Sequence, residues 1–314
     1  MEKKQPLIAV VGPTASGKTA VGVELAKIYN GEVVSADSMQ IYTKMDIATA
    51  KPTSEEMQGI PHHLIGAVEM GTSFSVADYM KLAHEAIADI ASRGKMPILV
   101  GGTGLYVSSL IDNINFDNAI TDGSVRQKLT EEAAAVGNDA MLERLRAVDP
   151  EAAGKIPAAN IVRIIRALEV YEVTGIPFSR HKELSRSEEP IYNACMIGLT
   201  YADRAKLYDR INRRVDIMVE KGMIEECRAV YEDGGLGTAC QAIGYKEFIP
   251  YFDGNLSKEE CIDKIKQSSR RYAKRQLTWF RRDERINWIE ITDVISFDKI
   301  IEKCKKIVAN SEIL

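Results

Sequence analysis

Apolar positions along this chain follow two rhythms. Leu7-Ile8-Ala9-Val10-Val11, Met96 to Val100 and Met196 to Leu199 are short unbroken runs bounded by glycine or polar turns, the pattern of strands buried on both faces. Glu32 to Ser35 reads as a further strand. Between these runs apolar residues recur at three- and four-residue spacing. Val21, Leu25 and Ile28 predict one helix, with Gly31 as its stop, and Val76, Met80, Ala83, Ile87 and Ile90 predict another over 76–93, closed by Gly94. Strand, helix, strand and glycine turn in alternation predict an α/β fold with a parallel sheet flanked by helices.

Two stretches break that rhythm. Residues 41–66, with Pro52, Pro61 and the pair His62-His63, are irregular, and a loop of that length is expected to be a substrate lid rather than packing. The adjacent histidines lack the spacing of a helical metal pair, so loop packing or substrate contact is expected of them. After Ile111 the chain turns polar and then helical, over 124–147 and 159–173. These stretches are bounded by Asp149-Pro150, Pro157 and Gly175-Ile176-Pro177, and a charged, linker-like segment covers 179–190. This middle third reads as a helical insertion, residues 113–191, splitting a sheet domain into 1–112 and 192–314. The last third predicts a helix bearing Arg204, Arg210, Arg213 and Arg214 and closed by Gly222, and a turn at Ala242 to Glu247 leading into another helix. A long helix follows from Ser257 to Phe280 or a little beyond, then a strand over 286–291.

Composition changes this picture little: 314 residues, 45% hydrophobic and 27% charged, describe an ordinary globular protein. Five scattered cysteines with no C-x-x-C pair fit reduced thiols in a cytoplasmic protein. No signal peptide or membrane span is expected. A formal charge of −4 argues weakly against nucleic acid, but segregated charge overrides it.

The chemistry begins at Gly12-Pro13-Thr14-Ala15-Ser16-Gly17-Lys18-Thr19, which fits the phosphate-loop template G-x-x-x-x-G-K-[S/T] between a strand and a helix. Its backbone N–H groups and Lys18 suit a di- or triphosphate, and the Thr19 hydroxyl suits Mg2+. The sheet is thus expected to be of the phosphate-loop NTPase type. An ATPase would place a carboxylate at the end of a later strand, yet Met96 to Val100 runs into Gly101-Gly102-Thr103. The strand-end acid is Asp37: magnesium ligand, substrate clamp, general base, or cap of Ser38-Met39-Gln40. On the long helix, at about 100° per residue, Arg270, Arg271, Lys274, Arg275, Arg281, Arg282 and Arg285 share an arc of roughly 140° if the helix runs that far. A cationic face of this kind is either solvated or tracks nucleic-acid phosphates, and its segregation favours the second. Ile262, Ile265, Tyr272, Ala273, Leu277 and Phe280 lie opposite.

Several separated motifs carry a resemblance: the phosphate loop, Asp37-Ser38-Met39-Gln40-Ile41-Tyr42, Met45 to Pro52, Pro61-His62-His63-Leu64, and Gly101 to Tyr106. Arg166 to Tyr171, Ala242 to Glu247 and Ala273 to Arg281 complete the set. Over nearly its whole length the chain resembles the tRNA dimethylallyltransferases, or tRNA isopentenyltransferases, of bacterial type, without the zinc-finger extension of eukaryotic forms. The resemblance implies transfer of a dimethylallyl group from dimethylallyl diphosphate to N6 of the adenosine 3′ to the anticodon. It implies that Gly12 to Thr19 hold the diphosphate, that Thr19 meets Mg2+, and that Arg210 or Arg214 joins Lys18 on the leaving group. Asp37 is then the base, Thr103 lies near the reacting bond, and Ser38, Met39 and Gln40 hold the flipped base. Arg163 and Arg166 of the insertion, with Arg271, Lys274, Arg275, Arg281 and Arg282, are the implied contacts to the tRNA anticodon stem-loop. A monomer with no membrane contact is expected. The alternatives are a phosphate-loop kinase acting on a small alcohol, with Asp37 as base, and a non-catalytic RNA-binding module.

Overall fold

The computed structural model describes residues 4–116, 122–186, 189–233 and 242–314. The chain forms two compact units: Met1–Ile111 together with Ile191–Leu314, and Asp112–Pro190.

The first unit is built on a parallel sheet in the order β3-β2-β4-β1-β5-β6. Its strands are β1 (Gln5–Val11), β2 (Gly31–Ala36), β3 (His62–His63), β4 (Met96–Gly101), β5 (Tyr192–Tyr201) and β6 (Asn287–Ile291). Leu7 to Val11 have no solvent exposure, as a central strand with both faces covered requires. Val10 registers with Val100 on one side and Ile197 on the other. Helices α1 (Lys18–Ile28), α2 (Ser54–Met57), α3 (Val76–Ser92) and α4 (Gly104–Ile111) belong to the first half. Ser75 and Asp78 form a reciprocal capping box that starts α3, and Met80, Ala83, Ile87 and Ile90 bury its apolar stripe. The α1 stop differs from expectation: Asn30 takes the left-handed turn at φ +49, and Gly31 opens β2. There a Cβ on Gly31 would meet the Met96 carbonyl oxygen at 2.4 Å, so glycine is needed for strand approach, not for helix termination.

The segment over 41–66, expected to be a lid rather than packing, also packs. Ile41, Tyr42 and Met45 are buried in a second apolar cluster with Met223, Tyr245, Phe248 and Ile265. Backbone bonds from Gly66 to Gln40 and from Val68 to Ile41 pin the segment. His62 and His63 form β3, and His63 donates to buried Glu32 at 2.7 Å. Arg93 and Lys95 also bond Glu32, holding its carboxyl well below the usual range. Among the described residues no group of His, Cys, Asp or Glu suits a metal ion.

The second half of this unit adds α10 (Arg204–Glu220), α11 (Met223–Glu232), α12 (Tyr245–Phe252), α13 (Lys258–Phe280) and α14 (Phe297–Asn310). Ser257 caps α13 through a reciprocal box with Glu260. The helix ends at Phe280, so Arg281, Arg282 and Arg285 leave the arc expected of them, and Arg285 is paired with Asp283 at 2.7 Å. Cys240 lies outside the described residues; the other four cysteines are buried thiols. No described helix is long and apolar enough to cross a membrane.

The helical unit holds α5 (Gly123–Val136), α6 (Asn138–Val148), α7 (Pro150–Lys155), α8 (Ile161–Thr174) and α9 (Phe178–Leu184) around Leu129, Met141, Leu145, Ile164 and Leu168. The single stretch expected over 124–147 is two helices, because Gly137 at φ +83 breaks it. The expected linker over 179–190 begins as α9. Its first turn is held by buried Asp149, whose carboxylate accepts the Ser179 N–H at 2.7 Å and the Ala152 N–H at 2.9 Å.

Candidate active site

The carboxyl ends of β1, β2 and β4 bring the phosphate loop, Asp37 and Gly101-Gly102 to one cavity of about 290 Å3, the location where open α/β sheets build their sites. Close strand approach makes this possible, since a Cβ on Gly101 would sit 2.2 Å from the Ala36 carbonyl oxygen. In the loop, Ala15 is held at φ +62 and the Ser16 N–H bonds the Pro13 carbonyl. The Ser16 hydroxyl is buried with no hydrogen-bond partner among the described residues, the condition of a donor set toward an anion. Lys18 Nζ donates to the Pro13 carbonyl at 2.6 Å. Burial, with repulsion from Arg214, pulls its pKa down to about 7 against the attraction of Asp37. Arg214 reaches from α10 to the Thr14 hydroxyl at 3.0 Å, and Arg210, one helical turn earlier, donates to the Ala15 carbonyl at 3.1 Å. Both arginines therefore face the phosphate loop.

Asp37 is a cap and more than a cap. Its Oδ1 accepts the N–H groups of Met39 at 2.9 Å and Gln40 at 3.2 Å, closing a turn. Its Oδ2 accepts no hydrogen bond among the described residues, and Asp37 lines the cavity. Thr103 bonds across to Ser38, its Oγ1 accepting the Ser38 N–H at 3.0 Å. Gln40 points its amide inward, donating to the carbonyls of Thr49 and Ala50. The same cavity is also lined by Ile211, Val215, Met218, Met223, Ala242, Ile243 and Ile265, with Lys246 among them. One cavity thus joins an anion cradle to an apolar recess.

A protein-family model described as IPP transferase matches residues 40–283. The chain belongs to the IPP transferase family. A relative from Acetivibrio thermocellus named tRNA dimethylallyltransferase is 48% identical over 301 residues, covering 95% of this chain and 96% of its own length. One of the same name from Halalkalibacterium halodurans is 49% identical and covers 98% of this chain and 97% of its own. Among solved structures, a full-length tRNA isopentenylpyrophosphate transferase from Bacillus halodurans is 48% identical, with a TM-score of 0.74 over 98% of this chain and 97% of that one. A eukaryotic dimethylallyltransferase described as acting on tRNA is 30% identical, with a TM-score of 0.83 over 98% of this chain and 79% of that one.

Within this family member the remaining predicted residues fall in different settings. Arg271, Lys274 and Arg275 are exposed on α13; Arg275 also lines the cavity and sits 5.5 Å from the Tyr272 ring centroid. Arg281 and Arg282 are exposed just past the helix end. In the helical unit Arg163 is exposed, whereas Arg166 is tied at 2.9 Å to buried Glu169, which Arg126 also pairs. Two positioning residues were not singled out from the pattern. Gln276, buried on α13, accepts the Thr14 N–H at 2.8 Å and donates to the Gly102 carbonyl at 2.9 Å, stapling the two glycine turns together. Glu226 on α11 accepts the N–H groups of Asp46, Ile47 and Ala48 at 2.7–2.9 Å and the Tyr245 hydroxyl at 2.7 Å. It thereby sets the turn whose Ala50 carbonyl receives Gln40 and Arg214. A lone polar residue on the apolar side of a predicted helix was the available signal for Gln276.

Proposed function

We propose that this chain transfers a dimethylallyl group from dimethylallyl diphosphate to N6 of the adenosine 3′-adjacent to the anticodon of tRNA, releasing diphosphate. The observation that carries the reading is one cavity whose lining combines the phosphate loop, Lys18 and Arg214 with a set of apolar side chains. A diphosphate ester of a short isoprenoid has that polarity. The names borne by the relatives agree.

Loop N–H groups, Lys18, Arg214 and Arg210 bind the diphosphate and offset charge growing on the departing oxygen as the allylic C–O bond breaks. The Ser16 hydroxyl gains an acceptor. The N6 nitrogen attacks the allylic carbon, and Asp37 Oδ2 takes the proton released from N6, while Oδ1 stays in its turn. Thr103, Ser38, Met39 and Gln40 hold the extruded adenine, which must leave its stack to be reached. The Thr19 hydroxyl lines the cavity with no hydrogen bond of its own among the described residues, which fits it to hold Mg2+ together with diphosphate oxygens. Bound there, the ion supplies further neutralisation of the leaving group. The cationic surface of α13, Arg281, Arg282 and the helical unit through Arg163 engage the anticodon stem-loop. In this reading the protein is a cytoplasmic monomer.

A kinase reading is weaker, because β4 ends in Gly101 with no carboxylate after it and the apolar recess has no task. The test is incubation with labelled dimethylallyl diphosphate and unmodified tRNA without ATP. Label in tRNA with release of diphosphate supports the reading; no label, with ATP consumed in the parallel assay, overturns it.

A further inference from the structure

Within the helical unit, α7, α8, α9 and the turn after α9 line a second cavity, of about 180 Å3. Four cations line it: Lys155, Arg163, Lys182 and Arg186. Its two acids are both engaged, Glu151 with Lys155 at 2.5 Å and Glu183 with Arg180 at 2.7 Å. Arg163, Lys182 and Arg186 have no carboxylate partner among the described residues. Among the described residues, folding has therefore gathered more positive than negative charge into this concavity. The repulsion registers at Lys182, whose ammonium loses proton affinity through burial and through Arg186, Arg163 and Lys155, with Glu151 acting against them. An arrangement of this kind is stabilised by an anion, and two guanidinium forks beside an ammonium match a phosphate more closely than a planar carboxylate.

We propose that this cavity seats one backbone phosphodiester of the tRNA, held by Lys182, Arg186 and Arg163; the inference rests on the reading that the chain acts on tRNA. Arg166 is not part of the seat, since Glu169 already occupies its guanidinium. A backbone phosphate read this way fixes the register of the RNA without reading its sequence.

The test uses the whole protein, a tRNA transcript and fluorescence anisotropy at several salt concentrations. The Lys182→Ala/Arg186→Ala double variant is expected to bind roughly tenfold more weakly near physiological salt and to lower the salt slope by about one. Its kcat at saturating tRNA should stay that of wild type, so the loss falls on KM. The charge-retaining Lys182→Arg/Arg186→Lys variant should restore binding. Unchanged affinity and slope in the alanine variant, with wild type binding tRNA normally, overturns the seat alone. A charge-retaining variant as weak as the alanine one, with both melting well below wild type, assigns the loss to folding and also overturns it. Inorganic phosphate protected by these residues while tRNA affinity is unchanged marks a free-anion site instead. Failure of wild type to bind tRNA removes the functional reading, and the seat with it.

Discussion

Asp37→Asn separates the two tasks of this carboxylate. Asparagine keeps an oxygen at Oδ1 for the Met39 and Gln40 N–H groups, so the turn survives. It puts an amide where Oδ2 stands, and an amide cannot take a proton from N6. Loss of a positioned general base removes about 10²–10⁴ in rate, equivalent to roughly 3–5 kcal/mol of barrier. Stability should change little, whereas Asp37→Ala, which also removes the two turn bonds, should cost about 1 kcal/mol by analogy with a lost cap. The assay is single-turnover transfer of labelled dimethylallyl to tRNA, with tRNA affinity and thermal unfolding measured alongside. The expected result is slow transfer with normal affinity and a melting temperature close to wild type. Transfer within threefold of wild type would refute the base role, leaving Asp37 as a cap.

The remaining predictions concern the shell around that group. Glu226→Ala strands three backbone N–H groups and the Tyr245 hydroxyl, an expected loss of about 2 kcal/mol or more in denaturant unfolding; kcat/KM should fall with it, and Glu226→Gln should recover part of both. Lys18 sits near pKa 7 instead of its ordinary 10.5, so in the free protein it loses its proton as pH rises through about 7. A bound diphosphate favours the charged form, and binding at about pH 8 must therefore take up a proton and weaken as pH rises, while about pH 6 shows no uptake from this group. Calorimetry in two buffers reads the uptake beyond the ligand's own ionisation; Lys18→Arg, always charged, should abolish it, and its absence in wild type would contradict the assignment. Replacing Arg271 and Lys274 with Ala should weaken tRNA binding and flatten its salt dependence by about one to two in slope. An unchanged slope would make that face of α13 merely solvated.

Local chemistry was legible and long-range pairing was not. The phosphate loop, Asp37 and Thr103 each sit beside a strand end, so motif and rhythm together placed them. Gln276 meets Thr14 across 262 positions and Glu226 meets Ala48 across 178, distances over which hydrophobic period says nothing. The packing of 41–66 was not legible because Ile41, Tyr42 and Met45 are buried by tertiary packing rather than by a helix or strand of their own. Helix α7, six residues starting at Pro150, is too short to give a periodic signal. Helix α14 did carry one, in Ile300, Ile301, Cys304 and Val308, yet it was not among the predicted elements. The run of cations past Phe280 was extrapolated along a helix that Arg281 ends.

The central claim, that the cradle beside β1 holds the leaving group of an allylic diphosphate whose chain enters the apolar recess, is most directly tested by calorimetric binding of an unreactive dimethylallyl thiolodiphosphate, inorganic pyrophosphate and ATP to the same protein. At about 0.8 kcal/mol per buried carbon, burial of half the five-carbon chain strengthens binding over pyrophosphate by ~2 kcal/mol, about thirtyfold. The account predicts that order, with ATP weaker than the allylic compound. An allylic compound no tighter than pyrophosphate, or ATP tighter than both, would contradict it.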